Sequence, residues 1–422
     1  MEKLKLRARH NASRVKQYIF SFLNWTIVAL LTGALGGLIG AGFRYAVNLV
    51  TGVRLDNPWL HYLLPVGGLL IAFLYRVTKL SGHADTNLII RSVRNDSEVP
   101  ILLAPVIFVS TVVTHLFGGS AGREGAALQL GGCIGSMFGK LFRLNEKDLP
   151  IAVMCGMSGL FSALFGTPLT AAVFAMEVIS VGVFYYSALL PCLISSLAAF
   201  SITTLLGLEP TSYALTVIPE LKLTSIALTA VIGIAAAIIS IIFCVSLEET
   251  HKLAAKYLKN EYLRAAVGGL AIVLLTLPLG FRYNGIGGEV IAEAITQGKA
   301  LPLDFVFKML FTVITIGFGY KGGEIIPTFF IGATMGAVLA PLLGLPPQFG
   351  AAVGLTALFC AVVNCPIASI ILSIELFGSK GLIFFAVALA VSYMLSGYYS
   401  LYSGQKIMYS KRRARFINRS AK

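Results

Sequence analysis

The chain has 422 residues, 57% of them hydrophobic and 12% charged, with a mean hydropathy of +0.83 and a formal net charge of +14. A soluble domain carries about 25% charged residues, so this composition excludes a soluble enzyme or binding module and indicates an integral membrane protein. The positive balance does not point to nucleic acid, because the basic residues crowd the two ends: Lys3, Lys5, Arg7, Arg9, Arg14 and Lys16, then Lys406, Lys411, Arg412, Arg413, Arg415 and Arg419. The positive-inside rule places both such ends in the cytoplasm, with anionic lipid headgroups as their partners.

In chain order, a basic N-terminal segment (residues 1–19) leads into apolar stretches that recur to about residue 400, among them residues 27–47, 102–116, 227–245 and 382–394. Because the basic stretch is long and no small-residue cleavage site follows, no cleaved signal peptide is expected. Many of the stretches are interrupted by Gly or Pro, and period-two alternation is missing. Lipid admits only helices or closed barrels, so the expected fold is a polytopic all-α membrane protein of tilted and broken helices, without a separate soluble domain.

The sequence repeats itself. "GMSGLFSALFGTPLTAAVFAMEV" from Gly156 aligns without a gap on "GLTALFCAVVNCPIASIILSIEL" from Gly354, matching Leu160 to Leu358, Phe161 to Phe359, Pro168 to Pro366 and Glu177 to Glu375. "VGGL" at Val66 matches "VGGL" at Val267, Gly82 matches Gly285, and Gly122 and Glu124 match Gly322 and Glu324. Two repeats follow, residues 20–205 and 222–400, joined by a linker at 206–221 and followed by a basic tail at 401–422. Residues 177–221 contain no Lys or Arg, and the linker carries only Glu209 and Glu220 as charges. An external linker between two cytoplasmic ends makes each half cross an odd number of times, so the repeats are inverted and a site is expected near the midplane where they meet.

The candidate site residues cluster in breaks between apolar stretches. In "SGHADTNLII" from Ser81, Asn87 has two readings, an amide donor to an anion or a helix cap, while His83 and Asp85 read as solvent-facing turn residues. His115 reads as a satisfied buried histidine, with proton relay as the alternative. The stretch "GGSAGREGAALQLGG" from Gly118 describes irregular backbone opening a helix inside the membrane. Bare N–H groups at such a start bind an anion without a positive side chain, and the Glu124 carboxylate can occupy that position in its place. Arg123 is expected to turn toward a polar partner or the interface. "GFGYKGGEIIPTFFIGATMG" from Gly317 describes the counterpart opening, with Glu324 as a second buried carboxylate and Pro327 early in the helix. Two carboxylates around one anion do not all ionise cheaply, which couples protons to ion movement. Glu177 and Glu375, at equivalent repeat positions, read as structural or interface residues. The six cysteines read as packing residues. No nucleotide-binding motif or metal-spaced cluster is present, so no cofactor is implied.

Together, "GREG" at Gly122, the Gly/Phe/Pro/Glu pattern over residues 165–177, "KGGEIIPTFFIGATMG" and "LYS" at Leu401 resemble the CLC family of anion channels and proton-coupled anion exchangers, over nearly the whole chain. The resemblance implies a homodimer with one pore per subunit, Glu124 as the gating glutamate, and Tyr402 as the pore-lining tyrosine, with Tyr399 as a nearby rival. Three departures from the chloride type, "GHADTNLI" in place of a Gly-Ser-Gly-Ile-Pro motif, Ala126 in place of proline and Glu324 in place of an apolar residue, resemble the fluoride/proton exchanger branch. Ala126 and Ile326 depart from that branch, where threonine is common, and Val178 stands where many chloride exchangers carry a proton-accepting acid.

Fluoride is small and strongly hydrated, and it accepts hydrogen bonds better than the other halides, so its site needs dense donors. The expected ones are the amides of Gly125, Ala126, Ile325 and Ile326 with the Asn87 side chain, and Tyr402 lining the path. The expected function is a plasma-membrane antiporter that exports fluoride in exchange for protons. Glu124 gates and carries the proton and Glu324 assists; a chloride/proton antiporter or chloride channel is the alternative.

Overall fold

The computed structural model describes residues 2–80, 85–94 and 98–422, with side chains described from residue 14 onward. The first repeat comprises α1 (Glu2–Asp56), a 3-10 turn (Pro58–Leu63), α2 (Leu64–Val77), α3 (Thr86–Ser92), α4 (Leu103–Leu116), α5 (Glu124–Leu141), α6 (Leu149–Phe165), α7 (Pro168–Glu177) and α8 (Leu189–Leu205). The second comprises α9 (Leu223–Tyr257), α10 (Glu261–Leu279), α11 (Gly288–Gln297), α12 (Asp304–Gly317), α13 (Ile325–Leu342), α14 (Pro347–Val363), α15 (Pro366–Phe377) and α16 (Leu382–Leu395). Between them, residues 208–222 carry no helix or strand and are tied down by bonds such as Tyr213 N–H to the Leu376 carbonyl (2.7 Å).

Six helical segments, including Arg14–Asp56, Leu223–Tyr257 and Ile325–Leu342, are long and apolar enough to cross a membrane. A second set of apolar helices has only 10–17 residues. At a rise of about 1.5 Å per residue these are shorter than a hydrocarbon core of about 30 Å. Backbone groups freed at an end that lies at membrane depth then need partners within the protein.

The same pairings hold in both halves: α1 on α8 and α9 on α16, α5 on α6 and α13 on α14, α1 on α6 and α9 on α14. The α5/α6 crossing is backbone on backbone, since a Cβ on Gly156 would strike the Gly131 carbonyl; Gly332 and Gly354 make the equivalent approach between α13 and α14. Small residues of this kind let helices associate in lipid, where burial of apolar surface gives no drive.

Glu177 and Glu375 reciprocate across the pseudo-twofold axis. Glu177 accepts from the N–H groups of Ile367 (3.1 Å) and Ala368 (2.8 Å) at the start of α15, and Glu375 accepts from those of Leu169 and Thr170 (both 2.9 Å) at the start of α7. Each carboxylate satisfies orphan amides of the other repeat and faces its helix dipole, which gives these residues their structural role. The six cysteines are all buried and free.

One feature differs from a purely helical fold. The basic tail forms a hairpin of β2 (Lys406–Tyr409) and β3 (Phe416–Ser420), and β2 pairs in parallel with β1 (Ser180–Val181) in the turn after α7. These strands are too short for alternation to stand out within a basic run. Lys411 fastens the hairpin: its ammonium donates to the Tyr393 carbonyl (2.8 Å), to Ser396 Oγ (3.1 Å) and to Asn364 Oδ1.

Replacing Glu177 by Ala is expected to cost about 1–3 kcal/mol of stability by orphaning buried amides. Glu375→Ala should cost less, because its partner Leu169 is about half exposed. Thermal unfolding of the detergent-solubilised variants checks the order; equal, negligible losses would remove the capping role.

Candidate anion site

The loops that precede α5 and α13 meet in an antiparallel backbone bridge: Gly122 N–H donates to the Gly323 carbonyl at 2.6 Å, and Gly323 N–H to the Gly122 carbonyl at 2.8 Å. Immediately after the bridge each chain turns into its helix. The first intrahelical bonds run from Ala127 N–H to the Arg123 carbonyl (3.0 Å) and from Thr328 N–H to the Glu324 carbonyl (2.9 Å). The amides of Glu124, Gly125 and Ala126 on α5, and of Ile325 and Ile326 on α13, therefore precede any intrahelical partner. Gly125, Ala126, Ile325 and Ile326 are all buried, so these donors do not face open water.

The bridge corrects the repeat register at this point. The sequence pairs Glu124 with Glu324, but α5 starts at Glu124 whereas α13 starts at Ile325, and Gly122 faces Gly323. Glu324 is thus the N-cap residue of α13 and corresponds to Arg123. The shared G-x-E spelling imposes an offset one residue shorter than the backbone adopts. The two carboxylates are consequently not symmetry mates and take different places.

Glu124 is fully buried and reaches across to the other repeat, where its Oε2 accepts from the Ile326 N–H at 3.3 Å. Its Oε1 has no partner among the described residues. The room it occupies depends on Gly323, whose Cβ, if present, would lie 2.7 Å from Glu124 Oε2 and 2.7 Å from Glu124 N. Glu324 makes no capping bond with its side chain, and its buried Oε2 has no partner among the described residues. It lines a cavity of about 320 Å³ with Thr86, Asn87, Gln129 and Tyr402; Glu124 is not among the lining residues. One acid thus faces the vestibule and the other lies sealed behind it.

Tyr402 is 1% exposed and its hydroxyl has no partner among the described residues. Its rival Tyr399 is half-buried, does not line the cavity, and has its carbonyl held by Asn364. Asn87 is not the helix cap. Asp85 is the N-cap of α3, accepting from Leu88 N–H at 3.0 Å. Asn87 itself lines the cavity with its amide split: Nδ2 donates to Asp85 Oδ2 (2.9 Å) and Oδ1 accepts from Gly404 N–H (2.8 Å). The acid two residues earlier has captured one amide proton, leaving the other.

Asp85 is exposed as expected, and His83 lies outside the described residues. Arg123 is half-buried and its Nη1 has no partner among the described residues, so the expected polar partner is not found. His115 is satisfied on one nitrogen only: Nδ1 meets the Thr111 carbonyl one turn back (2.8 Å), while the buried Nε2 is unpaired. Thr86 and Gln129 are additions to the site. Gln129 Nε2 donates to Thr86 Oγ1 (3.2 Å), which donates to the Gly125 carbonyl (3.3 Å), bracing the start of α5 from α3. The available signal was Gln129 itself, a lone amide in the otherwise apolar and small "GAALQLGG".

A family model described as voltage gated chloride channel matches residues 67–397. This chain belongs to that family, the CLC proteins. Among the relatives, a "Chloride/fluoride channel protein" of Pseudomonas syringae pv. tomato is 35% identical over 398 residues, covering 92% of this chain and 87% of the relative. The crystal structure of a CLC-type fluoride/proton antiporter superposes with a TM-score of 0.88 at 34% identity, covering 92% of this chain and 99% of the other. A slow cyanobacterial Cl-/H+ antiporter shares the fold at a TM-score of 0.76 and 21% identity, over 88% of this chain and 94% of that one. The CLC chain described here is a membrane-spanning protein of a channel and transporter family.

Gly323→Ala is expected to drive the Glu124 carboxylate from its place and to lower anion transport by roughly 100-fold, by analogy with removal of a positioned catalytic donor, while the protein still runs as a folded species on size exclusion. Wild-type transport in this variant would show that the carboxylate position does not matter.

Proposed function

We propose that this protein is a secondary transporter that exports fluoride across the plasma membrane in exchange for entering protons. The observation that carries the reading is the Glu124 carboxylate on the Ile326 amide: an acid rests where a small anion would be solvated by backbone N–H groups. Ionised, Glu124 fills the site and closes it. Protonated, it loses its attraction for the amides and the helix dipole and leaves, and an anion takes the same donors. The ionised carboxylate and the anion thus alternate at one position, so each anion that enters is tied to a proton taken up by Glu124, which is the coupling that exchange needs.

Glu324 is the acid reached from the vestibule, and it takes protons to or from Glu124 as the anion passes. The amides of Gly125, Ala126, Ile325 and Ile326, the free proton of the Asn87 amide and the Tyr402 hydroxyl line the route. Fluoride suits this donor set because it is the halide that most needs hydrogen bonds in exchange for its water. The names of the relative from Pseudomonas and of the antiporter structure, both of which mention fluoride, support the same substrate. The basic ends support a cytoplasmic location for both termini, and the vestibule beside the C-terminal tail is then the cytoplasmic mouth. We read the protein as a homodimer with one pathway per subunit, on the resemblance to its family, with anionic lipids against the basic ends.

Purified protein in liposomes loaded with fluoride should release it while taking up protons, and the fluoride reversal potential should shift with an imposed pH gradient. Glu124→Gln should abolish the proton coupling. Chloride release as fast as fluoride release would favour a chloride/proton exchanger or channel instead, and unchanged coupling in Glu124→Gln would remove that residue from the mechanism.

A further inference from the structure

A second, smaller cavity of about 140 Å³ adjoins the vestibule; the two share Asp85, His251, Gly319 and Lys321 in their walls. It lies between α2, the start of α10 and the loop before α13, and the function proposed above makes no use of it. Three donors face it without a partner among the described residues. The Tyr75 hydroxyl, on a side chain 4% exposed, is buried and unbonded, and so is Arg264 Nε. Among the described residues the Lys321 ammonium makes no hydrogen bond and no ion pair within 4 Å; it rests 4.3 Å from the centre of the Tyr75 ring. A cation held over an aromatic face stays in place without being neutralised.

The acids in the wall do not cancel this excess. The Asp85 carboxylate already accepts from Leu88 N–H and Asn87 Nδ2, with Arg91 at 3.8 Å, and Glu261 forms no ion pair with Arg264 or Lys321. Buried donors are seldom left unpaired in a folded protein, and two of them, the Tyr75 hydroxyl and Arg264 Nε, lining one polar cavity beside a half-buried ammonium call for an acceptor. A hydroxyl, a guanidinium N–H and an ammonium together fit a small inorganic anion that keeps part of its water. Lys321 also precedes Glu324 by three residues on the same loop, so an anion held here stands beside the entrance to the amide site.

We infer that the Tyr75, Arg264 and Lys321 chamber is a separate anion-holding site, which loads hydrated fluoride from the vestibule before it is stripped of water at the α5 and α13 amides. The inference rests on the transport reading for its substrate, but not for its chemistry. A basic recess raises local anion concentration and governs capture rather than the later steps.

The test is the fluoride dependence of initial efflux from liposomes containing the full-length protein. In Lys321→Gln the KM for fluoride should rise roughly 10-fold, in line with the focusing effect of a charged cleft, with kcat within about twofold of wild type. Lys321→Arg should restore KM. The difference between wild type and Lys321→Gln should shrink as an impermeant salt is added, because screening acts on a solvated charge. Tyr75→Phe, which removes the hydroxyl without changing shape, should raise KM to a smaller extent and serves if Lys321→Gln does not fold. A fall in kcat with unchanged KM, or unchanged KM in both Lys321→Gln and Tyr75→Phe, overturns the inference. If the wild type releases no fluoride, the transport reading fails by itself. Calorimetric titration of the solubilised protein with sodium fluoride and sodium chloride then decides the chamber: binding heat lost in Lys321→Gln supports it, and identical isotherms overturn it.

Discussion

The bond from the Ile326 amide to the Glu124 carboxylate crosses from one repeat to the other, and the rest of the architecture serves to make it possible. It requires two helices to begin in the middle of a bilayer, where a bare N–H group is costly, and to begin close together. The Gly122 and Gly323 bridge meets the second requirement by pairing the two loop backbones directly. The first is met at α13, where the Ile326 amide is offered to a carboxylate rather than to lipid. Local backbone chemistry, inversion of the repeat and anion affinity are therefore one constraint.

Much of this was legible in the sequence because duplicated packing leaves duplicated spelling. The match from Gly156 to Gly354 survives because those glycines sit where helix backbones touch, and Glu177 and Glu375 survive because each caps the other half. The charge pattern then supplied the inversion. Register failed where packing does not fix it: around Glu324, an acid that happens to follow a glycine pair imitated the Glu124 position. Only the point at which the backbone turns helical separates the two. The hairpin was hidden for a different reason. Its strands are short, and they are held by tertiary bonds from Lys411 and Gln405 rather than by any pattern of their own.

Glu124 and Tyr402 are candidates that their motifs supply, and the structure buries both, with Glu124 Oε1 and the Tyr402 hydroxyl unpartnered among the described residues. The role of Asn87 could not be read in full, since its amide is divided between Asp85 and the Gly404 amide more than three hundred residues away. Thr86 and Gln129 illustrate the same limit. A threonine and a glutamine carry no chemical signature until a fold sets one against the other and both against the carbonyl of Gly125.

The clip between Gly122 and Gly323 has a mechanical corollary. Inverted-repeat carriers commonly alternate access by rocking one half against the other about the substrate, but here the halves are stitched main chain to main chain at the pivot itself. Large sliding would break two short backbone hydrogen bonds between buried glycines. On the proposed transport reading, access switches through rotamers and slight helix displacement around this fixed centre, and the moving part is as small as a single acidic side chain.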